Sequence, residues 1–201
     1  MANKVLIYIH GKGGRSEDSE YYKPLFPEYD VMGFDYKSDN PWEAEAEYRN
    51  YFTSLSEEYT SITVIASSLG AFFVMISNVR NYIEKAFFVS PIVDMERLIM
   101  DMMLQSNVSE DDLKEKGIIR ISQEDYLSWE YLDWVRKHPI LWDVSTFILY
   151  GENDHLQTLD TMIKFAKSTN ANLTVMPNGE HWFHTDEQNE FRWNWLIKMN
   201  R

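Results

Sequence analysis

Residues 64–71 read Val64, Ile65, Ala66, Ser67, Ser68, Leu69, Gly70 and Ala71, an apolar run that passes without a break into helix-compatible sequence. A serine with a small residue two positions to either side is the pattern of a nucleophile held on a tight strand-to-helix turn. Bulk at those two positions would meet the neighbouring strand and helix. Counted from Ser68, the flanking residues are Ala66 and Gly70; counted from Ser67 they are Ile65 and Leu69, which would clash. Ser68 is therefore the candidate nucleophile. Ala66 stands where the usual pattern has glycine and is the least costly replacement. The competing account is an ordinary turn in which a serine caps the helix.

Moving outward, five further short apolar runs share the character of residues 62–66: residues 5–9, 31–34, 86–89, 146–150 and 173–176. They are near-continuous rather than alternating, as strands are when helices cover both faces of a parallel sheet. Helix-compatible segments separate them. One begins with Asn40 as N-cap, Pro41 at the first helical position and Glu43 at the capping-box position, then carries Tyr48, Tyr51, Phe52 and Leu55 at helical spacing. On that helix Glu43, Glu45 and Glu47 read as a solvated face. Alternating strand and helix predicts an α/β fold with right-handed crossovers, about six parallel strands in all.

One interval breaks the rhythm. Residues 95–143 show no convincing strand but two or three helices, with Met100, Met102, Met103, Leu104, Trp129, Trp134 and Trp142. This length predicts a helical insertion, a cap, within a single domain spanning residues 1–201. A plain pair of crossover helices is the other account. The tryptophans are either core residues or an apolar lid for an acyl or aromatic group.

Composition narrows the function. The chain has 201 residues, 44% apolar and 15% aromatic, enough to bury a full core. Lys and Arg total 19 against 32 Asp and Glu, a net charge of −13. That balance repels nucleic acid and anionic membranes. There is no cysteine, which excludes disulfides, thiolate nucleophiles and thiolate metal sites. No apolar run approaches a membrane span, and the first run is too short for a signal-peptide core. The expectation is a soluble, cytoplasmic protein; nothing in the sequence sets an oligomeric state.

The other strand ends carry the remaining chemistry. After the first strand come His10, Gly11, Lys12, Gly13 and Gly14. Unhindered backbone there can turn an amide toward a developing oxyanion. We assign this donor to Lys12 and the second to Leu69, at the helix start after Ser68. The loop fits neither phosphate-binding glycine pattern. After the fifth strand come Gly151, Glu152, Asn153, Asp154 and His155, which bring a carboxylate to the same edge. After the sixth come Pro177, Asn178, Gly179, Glu180, His181, Trp182 and Phe183, which bring an imidazole.

These four motifs, each at its strand end and in the order Ser68, Asp154, His181, resemble the α/β-hydrolase superfamily over almost the whole chain, in particular its compact bacterial-type serine esterases. The resemblance implies the α/β-hydrolase fold with parallel strands in the spatial order 2-1-3-4-5-6. It implies Ser68 as nucleophile, His181 as base and Asp154 as the residue orienting it, with an oxyanion hole from Lys12 and Leu69. The expected activity is hydrolysis of a carboxylic ester of a short or medium acyl group. The alternatives are a thioesterase or acyltransferase with the same triad, and a hydrolase-fold protein that binds a ligand without turnover. Asp94 is the rival acid, although it also suits a helix cap. His184 is the rival base, His155 a rim residue, His10 a support for the glycine loop and His138 a surface residue at a helix end. Trp182, Trp129 and Met103 are candidate walls of a pocket for a small-molecule acyl substrate. No cofactor or metal is called for, since the spacing of His155, His181, His184 and Asp186 is irregular for a metal site.

Overall fold

The computed structural model describes residues 4–123 and 125–200; residues 1–3, 124 and 201, which fall within the expected 1–201 domain and, for 124, the expected insertion, lie outside the described set. The six runs form one parallel sheet: β1 (Lys4–Ile9), β2 (Asp30–Gly33), β3 (Ser61–Ser67), β4 (Lys85–Val89), β7 (Ser145–Gly151) and β8 (Asn172–Met176). Their spatial order is β2-β1-β3-β4-β7-β8, every neighbouring pair parallel, which is the expected order 2-1-3-4-5-6.

Both faces are dry. Leu6, Tyr8, Ile65, Phe87, Val89 and Leu149 point to one face, where a 3-10 helix (Ser16–Leu25) and helix α7 (Asp186–Met199) cover them with Tyr22, Trp195 and Leu196. The alternate residues Ile7, Ile9, Val64, Ala66, Ala86, Phe88 and Ile148 are buried on the other face, on the side of α1 (Pro41–Glu58) and α2 (Ser68–Ile76). Helix α6 (Leu159–Thr169) packs against β7 and β8. The predicted cap is formed: the Asn40 side chain accepts the Glu43 N–H at 2.9 Å, with Pro41 in the first turn.

The second strand lies one residue earlier than its apolar run suggested. It ends on Gly33, where a Cβ would lie 1.9 Å from the Ser16 carbonyl oxygen, so only glycine fits. Phe34 lies beyond the strand, though its N–H still reaches the Tyr8 carbonyl at 2.9 Å.

The chain divides into two compact units, Met1–Val93 with Leu141–Arg201, and Asp94–Ile140. The second contains α3 (Met95–Gln105), α4 (Glu110–Lys116) and α5 (Trp129–Lys137). It also contains strands, contrary to the expectation of none: β5 (Ile118–Arg120) and β6 (Tyr126–Ser128) pair antiparallel. Three residues each are too few for a periodic signal, and the pairing depends on a turn in which Ser122 Oγ accepts the Asp125 N–H at 2.9 Å. Within this unit Arg136 joins three helices by ion pairs to Glu96 and Glu110, both at 2.7 Å. Trp142 belongs to the first unit, its ring 5.4 Å from Phe88 and its Nε1–H donated to Thr146. Among the described residues no helix is long and apolar enough to cross a membrane.

Candidate active site

Strand β3 ends at Ser67 and α2 starts at Ser68, whose φ of 50° places a non-glycine residue in the left-handed region. Such a conformation is uncommon and costs free energy, so it persists only where surrounding contacts hold it. The contacts are visible at the two flanking positions. Ala66 is wholly buried, and a Cβ on Gly70 would lie 2.3 Å from the His10 carbonyl oxygen and 2.9 Å from Ile9 Cγ2. Ser67 is differently occupied: its side chain hydrogen-bonds the Tyr8 phenol, which burial pushes above its ordinary pKa.

The Ser68 hydroxyl lies 2.8 Å from His181 Nε2, and His181 Nδ1 lies 2.7 Å from Asp154 Oδ2. Both distances are ordinary hydrogen bonds. The His181 and Asp154 side chains are completely shielded from solvent. Asp154 is an acceptor on both oxygens, since Oδ1 takes the N–H groups of Leu156 at 2.8 Å and Gln157 at 3.2 Å. The proton between Asp154 and His181 is therefore assigned to Nδ1, which leaves Nε2 to accept from Ser68.

Backbone contact positions Asp154 and His181. A Cβ on Gly151, the last residue of β7, would lie 2.6 Å from the Gly179 carbonyl carbon and oxygen and 2.7 Å from the Glu180 carbonyl oxygen. The two loops thus touch without side chains between them. The Asn153 N–H donates to Gly179 O at 2.8 Å, and the Glu152 N–H to Met176 O at 3.0 Å. Phe183, with a φ of 47° and almost no exposure, anchors the far end of the His181 loop in the core.

The glycine loop runs beside Ser68. A Cβ on Gly11 would lie 3.0 Å from Ser68 Cβ and 3.3 Å from the Ser67 carbonyl oxygen, and the Gly14 N–H closes a turn onto Gly11 O at 3.1 Å. Lys12 lies within this turn. Leu69 is in the first turn of α2, where backbone N–H groups have no partner inside the helix.

The rival groups lie elsewhere. Asp94 is the N-cap of α3, accepting the Arg97 N–H at 2.9 Å. His184 is exposed and pairs with Glu180 at 3.2 Å. His155 and the exposed Trp182 flank His181, with ring centroids 6.3 and 6.0 Å from it and 5.7 Å from each other. His138 is the exposed C-cap of α5, stacked on Trp134. Met103 is buried on α3; Trp129 opens α5 with the Lys114 ammonium 5.3 Å from its ring centre. Among the described residues no three His, Cys, Asp or Glu are grouped as a metal site would require.

Glu47 is not part of a solvated face. It is half-buried, and its carboxylate accepts the N–H groups of Lys37 at 2.9 Å and Ser38 at 3.0 Å, together with the Ser38 hydroxyl. It reaches back to the segment before its own helix, a fold-dependent contact that helical spacing does not reveal. Tyr36, held in that segment, escaped sequence reasoning entirely, because an aromatic residue in a connecting loop carries no periodic signal.

Several solved structures share this arrangement of elements. Est1E of Butyrivibrio proteoclasticus matches with a TM-score of 0.79 at 15% identity, over 98% of this chain and 86% of that one. The chain has the α/β-hydrolase fold. The α/β-hydrolase domain-containing protein 10 from mouse matches at a TM-score of 0.74 and 11% identity, over 98% of this chain and 90% of that one. An esterase of Pyrococcus furiosus matches at 0.61 and 19% identity, over 99% of this chain and 81% of that one. No protein-family model and no curated protein matches the sequence. At these identities the likeness is one of fold, and the chemistry of this α/β-hydrolase-fold chain rests on its own residues.

Proposed function

We propose that the protein is a serine hydrolase that cleaves carboxylic esters of short or medium acyl groups through an acyl-enzyme. The observation that carries this reading is the relay of two ordinary hydrogen bonds from Ser68 through His181 to Asp154. Ser68 Oγ adds to the acyl carbonyl carbon while its proton passes to His181 Nε2. Asp154 stabilises the resulting imidazolium. The oxyanion is held by the backbone N–H groups of Lys12 and Leu69. Collapse of the tetrahedral intermediate expels the alcohol, which takes its proton from His181. Water, deprotonated by the same imidazole, then attacks the acyl-Ser68 ester and restores the serine.

Trp182 is 66% exposed beside the base and serves as an aromatic wall for the substrate. A structure of Est1E holds ferulic acid, so hydroxycinnamate esters belong in the substrate panel beside straight-chain ones. The test is hydrolysis of p-nitrophenyl esters from acetate to decanoate and of methyl ferulate, wild type beside Ser68→Ala. Turnover in the wild type and a loss of several powers of ten in the variant is the expected result. Equal rates would remove Ser68 from the mechanism.

A further inference from the structure

The loop that carries the oxyanion donor is itself held by a residue outside all four motifs. Leaving β2, the chain runs through residues 34–39 before α1, and Tyr36 in this segment is only 8% exposed. Its hydroxyl donates to the His10 carbonyl oxygen at 2.9 Å, and its ring stacks on the His10 imidazole, centroids 4.5 Å apart and planes 17° apart. That carbonyl is the atom a Cβ on Gly70 would meet at 2.3 Å. It is therefore clamped between α2 on one side and the phenol on the other. The direction of one carbonyl sets the plane of its peptide, so the clamp fixes how Gly11 and then Lys12 leave β1. Gly11 in turn lies against Ser68.

Tyr36 is fixed as well. Its ring meets Phe73 edge-on with centroids 5.8 Å apart, and Tyr48 lies at 5.5 Å. The next two residues bind the Glu47 carboxylate through the Lys37 and Ser38 N–H groups. Burial, with the charges of Asp39 and Glu47, raises the Tyr36 pKa, so its hydroxyl remains a donor throughout the working pH range.

We infer that Tyr36 is a positioning residue for the oxyanion-binding loop, acting through the His10 carbonyl, and that Glu47 holds Tyr36 in place. The inference rests on the serine-hydrolase reading. It predicts a defect confined to the charged intermediate. A peptide that tilts away from the oxyanion weakens transition-state binding and leaves ground-state binding intact.

The experiment compares wild type, Tyr36→Phe and Glu47→Gln. Tyr36→Phe keeps the ring stack and deletes one hydroxyl. It is expected to lower kcat on the preferred p-nitrophenyl ester about tenfold with KM within about twofold, a fraction of the loss seen when a whole oxyanion donor is removed. Its Tm falls by about 2–4 °C, the effect of one lost buried hydrogen bond in a chain of this size. Glu47→Gln lowers kcat about threefold in the same direction. An aryl trifluoromethyl ketone supplies the readout that mere loss of packing does not move. Ser68 Oγ adds to its carbonyl carbon, the proton passes to His181, and a stable oxyanion forms. Its affinity should fall in Tyr36→Phe by the same factor as kcat/KM. Unchanged kcat in Tyr36→Phe, or a fall in kcat without a matching loss of ketone affinity, overturns the inference alone. A wild type that hydrolyses no ester and takes no fluorophosphonate on Ser68 overturns the hydrolase reading and this inference with it.

Discussion

On one side of Ser68 the His10 carbonyl is packed against α2 at Gly70 and tied down by a side chain arriving from elsewhere, Tyr36, whose own segment is held by Glu47. On the other side the Asp154 turn and the His181 loop hold each other directly, backbone against backbone, through Gly151 and Gly179. The two arrangements differ in how errors propagate. A side chain can rotate or shift by a few tenths of an ångström and absorb a small insult. Two backbones in contact have no such slack, because moving one moves every residue it carries. The difference predicts graded losses where a side chain makes the contact, at Tyr36 and Glu47, and abrupt ones where backbone meets backbone, at Gly151.

The largest expected effect tests the second side at its chemistry. Asp154→Asn keeps the shape but presents an amide to His181 Nδ1 and favours the wrong tautomer, so kcat should fall by about three to four powers of ten. A loss under tenfold would shift the role to another carboxylate, and Asp94→Asn would then be measured beside it. Next comes Gly151→Ala, which forces a methyl to within 2.6 Å of the Gly179 backbone. The loops must separate, and a displacement of about 1 Å at His181 costs about a hundredfold in kcat. The matched change on the first side is Tyr36→Phe, which deletes one side-chain hydrogen bond and brings no atom into backbone contact. There the loss is one hydrogen bond, and a fall of about tenfold is expected. Equal losses for Gly151→Ala and Tyr36→Phe would erase the contrast. The smallest effect concerns the rival imidazole, His184. His184→Ala removes an exposed imidazole paired with Glu180 and should change kcat by less than about twofold. A loss as large as that of His181→Ala would reassign the base.

Several parts of the molecule are legible from neighbouring residues alone. The frame that chose Ser68 over Ser67 depended on small residues at 66 and 70, and the reason appears as the close approach of Gly70 to the His10 carbonyl. The cap at Asn40 was legible because its partner is three residues away. Other parts were not. Glu47 looked like any exposed helical glutamate, and only the path of residues 37–38 gives it three donors. Strand β2 lies one residue earlier than its apolar run and closes on Gly33, which Ser16 crosses so closely that no Cβ would fit, a contact between segments that share no local pattern. The hairpin β5-β6 was hidden by its length.

By itself, the sequence determined what short-range sterics and periodicity control: six buried strands, the helices between them, and small residues where a serine must turn sharply. The tertiary structure alone decided which groups meet. His181 lies 27 positions from Asp154 and 113 from Ser68, yet hydrogen bonds of 2.7 and 2.8 Å join them. Such distances are set by the landing points of three separate strand ends and by two glycines that let their loops touch. No pattern within a few residues encodes that, because the forces that fix it act between segments brought together only by the folded sheet.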